Sequence, residues 1–211
     1  LSRGLGDVYK RQACSGDPIE PEGSATEQPE TPGNDNDEDE TPNNDGRYLV
    51  LYCSRTSNTE GIAQRIGTAL GCDFIEVEPE TPYDTDYNAM LERSQQEQAA
   101  IEAGNFPPVK TSVESFEEYD IIFIGYPIWY SHMATPMQTF LHEHAAKLAG
   151  KRIALFATSG SSGISTSVSD ARKHCPDATY TESLLLTSGT LSQAESRVAE
   201  WLSEIGVTTK N

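Results

Sequence analysis

The sequence predicts an α/β fold, a doubly wound, five-stranded parallel sheet with helices on both faces, occupying residues 47–211. Three observations predict it. Short, continuous apolar runs of strand length recur along the chain, as expected for strands covered on both faces. They alternate with segments whose apolar residues fall at helical spacing. The composition also changes abruptly near residue 47: residues 14–46 carry eleven acidic side chains, no basic ones and five prolines, whereas the remainder is mixed and regular.

The elements follow in order. Tyr48-Leu49-Val50-Leu51-Tyr52-Cys53 reads as the first strand. Ile62, Ile66, Ala69 and Leu70 lie at i, i+4, i+7 and i+8, one stripe of a helix that Gly71 ends. Phe74-Ile75-Glu76-Val77 is a second strand, followed by a long helix from Tyr87 to Ala103. Ile121 to Tyr126 is the most apolar strand and belongs at the sheet centre. A helix from Met137 to Lys147, a strand from Arg152 to Ala157, a helix from Ser167 to His174, a strand from Ser183 to Leu186 and a helix from Gln193 to Ile205 complete the series. Such alternation implies right-handed crossovers and a ligand site beyond the carboxyl ends of the strands.

Charge and composition exclude several functions. The 211 residues carry 33 Asp+Glu against 15 Lys+Arg, a formal net charge of -18, which a nucleic-acid backbone would repel. No run reaches the roughly 18 to 20 apolar residues of a membrane span. Cys14, Cys53, Cys72 and Cys175 show neither CxxC pairing nor zinc-ligand spacing, so no metal site is expected. His142 and His144, two apart on a predicted helix, make a poor metal pair. The overall 36% hydrophobic content falls below the usual ~45 to 50% because residues 14–46 dilute it; they read as an extended acidic, Pro-rich linker after a leader at 1–13.

The loops at the carboxyl ends carry the chemistry. Ser54-Arg55-Thr56-Ser57-Asn58-Thr59 opens directly into a helix and offers hydroxyl, amide and backbone N–H donors at the positive end of its dipole, a setting for a phosphate. Ser57-Asn58-Thr59-Glu60 also reads as a capping box. The chain has no GxxxxGK[ST] and no GxGxxG after the first strand, which argues against a nucleotide triphosphatase and a dinucleotide site. It also lacks the acids that a response-regulator receiver needs after the first and third strands. After the third strand, Pro127-Ile128-Trp129-Tyr130 brings two adjacent aromatics suited to a flat ligand. After the fourth, Thr158-Ser159-Gly160-Ser161-Ser162-Gly163 is rich in small donors that can approach a polar ring edge. His132, close to the aromatic loop, reads either as a donor to a bound ligand or as a surface-loop histidine without a partner.

Phosphate, aromatic and donor loops in this order resemble the flavodoxin family over roughly residues 47–206, with its S-R-T-G-N-T, Y-P-I-W-W and T-S-G-G-S-G loops. The resemblance implies strand order 2-1-3-4-5 and FMN as cofactor. Ser54, Arg55, Thr56, Ser57, Asn58 and Thr59 would wrap its phosphate. Pro127, Ile128, Trp129 and Tyr130 would flank the ring, and Thr158, Ser159, Gly160, Ser161 and Gly163 would line its polar side. The chain departs from the pattern at Ser57, where the family has glycine, at Tyr130 for the second tryptophan, and at Ser131 for a glycine. The expected partner is a redox protein or a small-molecule acceptor, and three functions stand open: electron carrier, NAD(P)H-dependent quinone-type reductase, and flavin-free anion-binding lipoprotein.

Ala13-Cys14-Ser15-Gly16, followed by the acidic tether, resembles the start of a mature bacterial lipoprotein, with Cys14 acylated as the one membrane attachment. Residues 1–12 lack the apolar segment that precedes such a cysteine. Two readings follow: a non-native leader in place of a signal peptide, which puts the protein in the bacterial cell envelope, or a cytoplasmic chain with a frayed end.

Overall fold

The computed structural model describes residues 46–209. The leader, the linker up to residue 45 and Cys14 lie outside the described residues. Strand β1 is Tyr48–Tyr52, helix α1 Asn58–Leu70, β2 Phe74–Glu76, α2 Tyr87–Glu102, β3 Ile121–Trp129 and β4 His132–Met133. Helix α3 spans Thr135–Leu148, β5 Arg152–Ser159, α4 Ser165–His174, β6 Thr179–Tyr180 and β7 Leu184–Thr187; a 3₁₀ turn at Leu191–Gln193 leads into α5, Ala194–Glu204.

The sheet runs β2-β1-β3-β5-β6, all parallel, with β7 also paired to β5. Two segments share the fifth place: β6 pairs with Arg152 and Ile153, and β7 with Phe156 to Ser159. The expected order thus holds, with the last strand interrupted. Another difference is the length of β3. Pro127 to Trp129 continue the strand, and Trp129 and His132 pair across a two-residue turn into antiparallel β4. Pro127 is tolerated there although it cannot donate an N–H; its carbonyl accepts from Ala134 at 3.2 Å.

Alternation along the strands divides the core in two. Leu49, Leu51, Ile122, Ile124, Ile153 and Leu155 face Met137, Phe140 and Leu141 of α3 and Ala171 of α4. Tyr48, Val50, Ile121, Phe123, Ala154 and Phe156 face Ile62, Ile66 and Leu70 of α1 and Val198, Trp201 and Leu202 of α5. Strands β1, β3 and β5 are buried on both sides, which is why their sequences read as continuous apolar runs. Between the central strands, Gly125 is required by contact: a Cβ there would lie 2.1 Å from the Phe156 ring.

Helix α1 ends as its sequence indicates. Gly71 takes the left-handed conformation, φ 59°, and Cys72 N–H reaches Gly67 O at 3.0 Å, satisfying carbonyls the helix leaves open. Its start differs from expectation. Ser57 is the N-cap residue but sits at φ 58°, ψ 6°, and its side chain caps nothing, so the capping box does not form. The left-handed backbone points the chain into the loop rather than folding the hydroxyl onto the first turn. Among the described residues, α2 is the helix capped by a side chain, with Asp86 Oδ1 accepting from Ala89 N–H at 2.8 Å. None of Cys53, Cys72 and Cys175 forms a disulfide. Burial lifts the Cys175 thiol to about 12 and the Cys53 thiol further still, which leaves both as inert core groups.

Candidate functional site

At the carboxyl end of the sheet, five segments close around one cleft: the β1–α1 loop, the end of β3, the loop after β5, the segment after β7 and the start of α2. Ser54, Arg55, Thr56, Asn58 and Thr59 line it from the first, Pro127, Ile128 and Trp129 from the second, and Thr158, Ser159 and Gly160 from the third. The structure therefore brings together most of the residues named from sequence. Ser57, Tyr130, Ser161 and Gly163 do not line this cleft, and all four are exposed. Ser57 contributes its backbone conformation. Tyr130 stands on the turn beyond Trp129, and Ser161 and Gly163 lie on the outer part of a loop that Ser159 Oγ closes by donating to Ser162 O at 2.8 Å.

The first loop is rich in unused donors. Among the described residues no backbone N–H from Ser54 to Glu60 has an acceptor; the first helical bond of α1 is Gly61 N–H to Ser57 O at 2.9 Å. Those N–H groups sit at the positive end of the α1 dipole, where an anion is favoured. Arg55 adds to them. Its Nη2 donates to Thr85 O at 2.7 Å and Asp84 O at 3.3 Å, which ties the loop before α2 to the site. Its Nε is buried and has no partner, an orphan donor of the kind that marks a missing acceptor. The hydroxyls of Thr59 and Thr158 meet at 2.8 Å and lock the first loop to the end of β5.

The aromatic side is braced from behind. The Tyr83 ring packs edge-on against Trp129, with centroids 5.0 Å apart. Tyr83 OH donates to Glu97 Oε2 and lies 2.8 Å from Thr135 Oγ1, while Glu97 Oε1 takes Arg93 Nε at 2.7 Å. The Arg93 guanidinium lies 4.1 Å from the Tyr83 centroid. Burial, then the Glu97 hydrogen bond, pushes the Tyr83 hydroxyl far above its ordinary range, so it stays a neutral donor. Beyond Trp129, Tyr130 at φ 50° and Ser131 at φ 73° make the turn; with Ser57 they are the positive-φ residues other than glycine among the described residues. The backbone of this site is therefore strained at three of the positions where the sequence departs from the family pattern.

Sequence reasoning missed several lining residues. Tyr87 and Met90 come from the first turns of α2, and Leu186, Thr187, Ser188 and Leu191 from the segment after β7. Tyr87 carried a signal as an aromatic at a helix start, and the structure leaves it 60% exposed. His132 is not without a partner, since its Nδ1 lies 3.1 Å from Asp170 Oδ2. Asp170 sits far along the chain, and no local pattern announces the pair. His142 stacks on Phe106 and His144 Nε2 accepts from Val113 N–H, so each has a separate structural place. Among the described residues, no group of His, Cys, Asp and Glu could hold a metal.

Comparison with known proteins places this geometry in context. The flavodoxin family profile matches residues 47–205. The chain is similar to a protein from Bacteroides eggerthii described as a flavoprotein, with 34% identity and a TM-score of 0.66 over 77% of this chain and 99% of that one. A second such protein, from Bacteroides uniformis, shares 28% identity at a TM-score of 0.61 over 73% of this chain and 98% of that one. A Lactobacillus acidophilus flavoprotein in complex with FMN has the same fold, at 23% identity and a TM-score of 0.60 over 74% of this chain and 98% of that one. No curated protein sequence matches the chain. By the family match and the Bacteroides eggerthii relative, the chain belongs to the flavodoxin family.

Proposed function

We propose that the protein is an FMN-dependent redox protein whose cleft at the carboxyl end of the sheet holds the flavin. One observation carries the reading: a cleft walled by Trp129 and Tyr87 opens onto backbone N–H groups, from Ser54 to Glu60, that have no acceptor of their own. A terminal phosphate supplies that acceptor, and Arg55 Nε and the hydroxyls of Thr56 and Ser54 add donors around it. Trp129 and Tyr87 give apolar wall area, and Ser159 and Gly160 border the cleft where a ring edge needs polar contacts. Bound FMN supplies the electron chemistry, and the chain supplies affinity, orientation and exclusion of water. The family membership and the FMN-bound Lactobacillus acidophilus flavoprotein support this cofactor.

A reductase that takes electrons in pairs from NAD(P)H is the second reading. The turn after Trp129 favours it: Tyr130 and Ser131 hold positive φ without glycine, so the backbone beside the cleft has little freedom to reorient as electrons are exchanged one at a time. The redox partner is accordingly either a protein or a small-molecule acceptor.

For the N-terminal segment we propose a lipid anchor at Cys14 and a location in the bacterial cell envelope, supported by Ala13-Cys14-Ser15-Gly16 and the acidic tether that follows. Among the described residues no helix is long and apolar enough to cross a membrane. Detergent-phase partitioning that disappears in Cys14→Ser supports the anchor, and partitioning that persists contradicts it.

The test of the main reading is the visible spectrum of the purified protein, with identification of the flavin released by heat. Released FMN supports it. A colourless protein that takes up no added FMN overturns it in favour of a flavin-free anion-binding domain.

A further inference from the structure

A second cleft adjoins the first, and the Trp129 side chain is the wall they share. Gln95, Gln98 and Glu102 of α2 form one side, and Tyr130 and His132 of the β3–β4 turn complete the other. Packing does not explain this lining. Tyr130 is half exposed on a left-handed backbone that is unfavourable for an aromatic residue, and Gln95 and Glu102 are exposed as well.

His132 is the chemical feature of this cleft. Its Nδ1 lies 3.1 Å from Asp170 Oδ2, which also accepts from Met133 N–H at 3.0 Å. A carboxylate at Nδ1 requires the proton there, so the tautomer is fixed and Nε2 is left without a partner among the described residues. Neutral, that nitrogen accepts from a hydroxyl; protonated, it donates to a carbonyl. Either way it meets a ligand oxygen. The walls of Trp129 and Tyr130 suit a planar molecule. Glu102 at the rim and the net charge of -9 over residues 47–211 oppose an anion. A cation would engage Glu102 and leave His132 Nε2 without a role.

We propose that this second cleft binds the small molecule with which the flavin site exchanges electrons, and that it is a planar, uncharged compound whose carbonyl oxygen, a hydroxyl in the reduced form, contacts His132 Nε2. The proposal rests on the redox reading above. It places the reaction partner one indole ring away from the flavin cleft.

Duroquinone, an uncharged planar dicarbonyl, is the probe. It is titrated into the isotope-labelled full chain, flavin-free and FMN-saturated, while backbone amide resonances are followed. The expected result is saturable shifts at Gln95, Gln98, Glu102, Tyr130 and His132 in both forms. With the ring protonated, His132→Phe should weaken binding about 10- to 150-fold, the loss of one hydrogen bond from a charged donor to the carbonyl. Gln95→Trp, at an exposed helix position, should fill the cleft and abolish the shifts. Shifts at other residues, no shifts, or binding unchanged in both variants overturn the proposal. Tighter binding of a viologen dication at the same amides overturns the uncharged class. Because the flavin-free titration is read separately, failure of FMN to bind would sink the redox reading without being mistaken for failure of the cleft.

Discussion

The hydroxyls of Thr59 and Thr158, 99 residues apart in sequence, lie 2.8 Å from each other in a buried contact. The bond joins the start of α1 to the end of β5 and fixes the width of the cleft between the two loops. Thr59→Val or Thr158→Val leaves one buried hydroxyl without a partner, and each should lower stability by about 1 to 3 kcal/mol. The double variant should cost clearly less than the sum, because neither orphan remains. Urea denaturation of the four proteins gives the coupling directly.

Ser57 at φ 58° and Ser131 at φ 73° occupy backbone conformations that glycine adopts without strain. Ser57→Gly and Ser131→Gly should each raise the stability of the flavin-free protein by about 0.5 to 1 kcal/mol after the greater chain entropy of glycine is set against the relieved strain. Thermal melts check this. A drop in Tm for both would show that the hydroxyls make contacts worth more than the strain.

Trp129 is held edge-on by Tyr83, whose hydroxyl joins Glu97 and Thr135. Tyr83→Phe keeps the ring contact and should change FMN affinity less than about threefold. Tyr83→Ala removes it, and FMN should bind about 2- to 13-fold more weakly, as expected for an aromatic pair contributing about 0.5 to 1.5 kcal/mol. Near-ultraviolet circular dichroism should weaken in the alanine variant and persist in the phenylalanine one.

His174 is buried between α3 and α4 and bonded to Gln138 Oε1 at 3.2 Å. Burial first, then the Lys173 charge, lowers its pKa to about 4. The unfolded chain takes up this proton near pH 6.5 and the folded one does not, so stability should fall as pH drops from about 6.5 to 4, by roughly 1 to 3 kcal/mol. His174→Leu should flatten that part of the profile relative to the parent protein. A parallel profile in the variant would refute the assignment.

The strand runs, the stop at Gly71 and the three strand-end loops were all legible in the sequence, because each is a local pattern of apolar period, turn residue or donor density. The continuation of β3 through Pro127 was not, since proline and two aromatics look like a turn until β4 provides a partner. The split of the last strand between Thr179–Tyr180 and Leu184–Thr187 was hidden for the same reason, its first half being two residues long. Within the site, the pairs Thr59 with Thr158 and His132 with Asp170 are contacts across the fold that no spacing encodes. Ser57 was the opposite case: its mismatch with a glycine position was visible in the sequence, and the structure shows the positive φ that makes it costly.

The central claim is that the free N–H groups from Ser54 to Glu60 hold a phosphate. Equilibrium titration of the flavin-free protein with FMN and with riboflavin, followed by quenching of flavin fluorescence, tests it most directly. The two ligands share the ring and differ in the phosphate, and charge-assisted hydrogen bonds contribute about 1.5 to 3 kcal/mol each. One FMN per chain should bind, at least about 100-fold more tightly than riboflavin, and Thr56→Ala should narrow that gap. Equal affinity for the two flavins, or a gap unchanged by Thr56→Ala together with Arg55→Ala, would contradict the account.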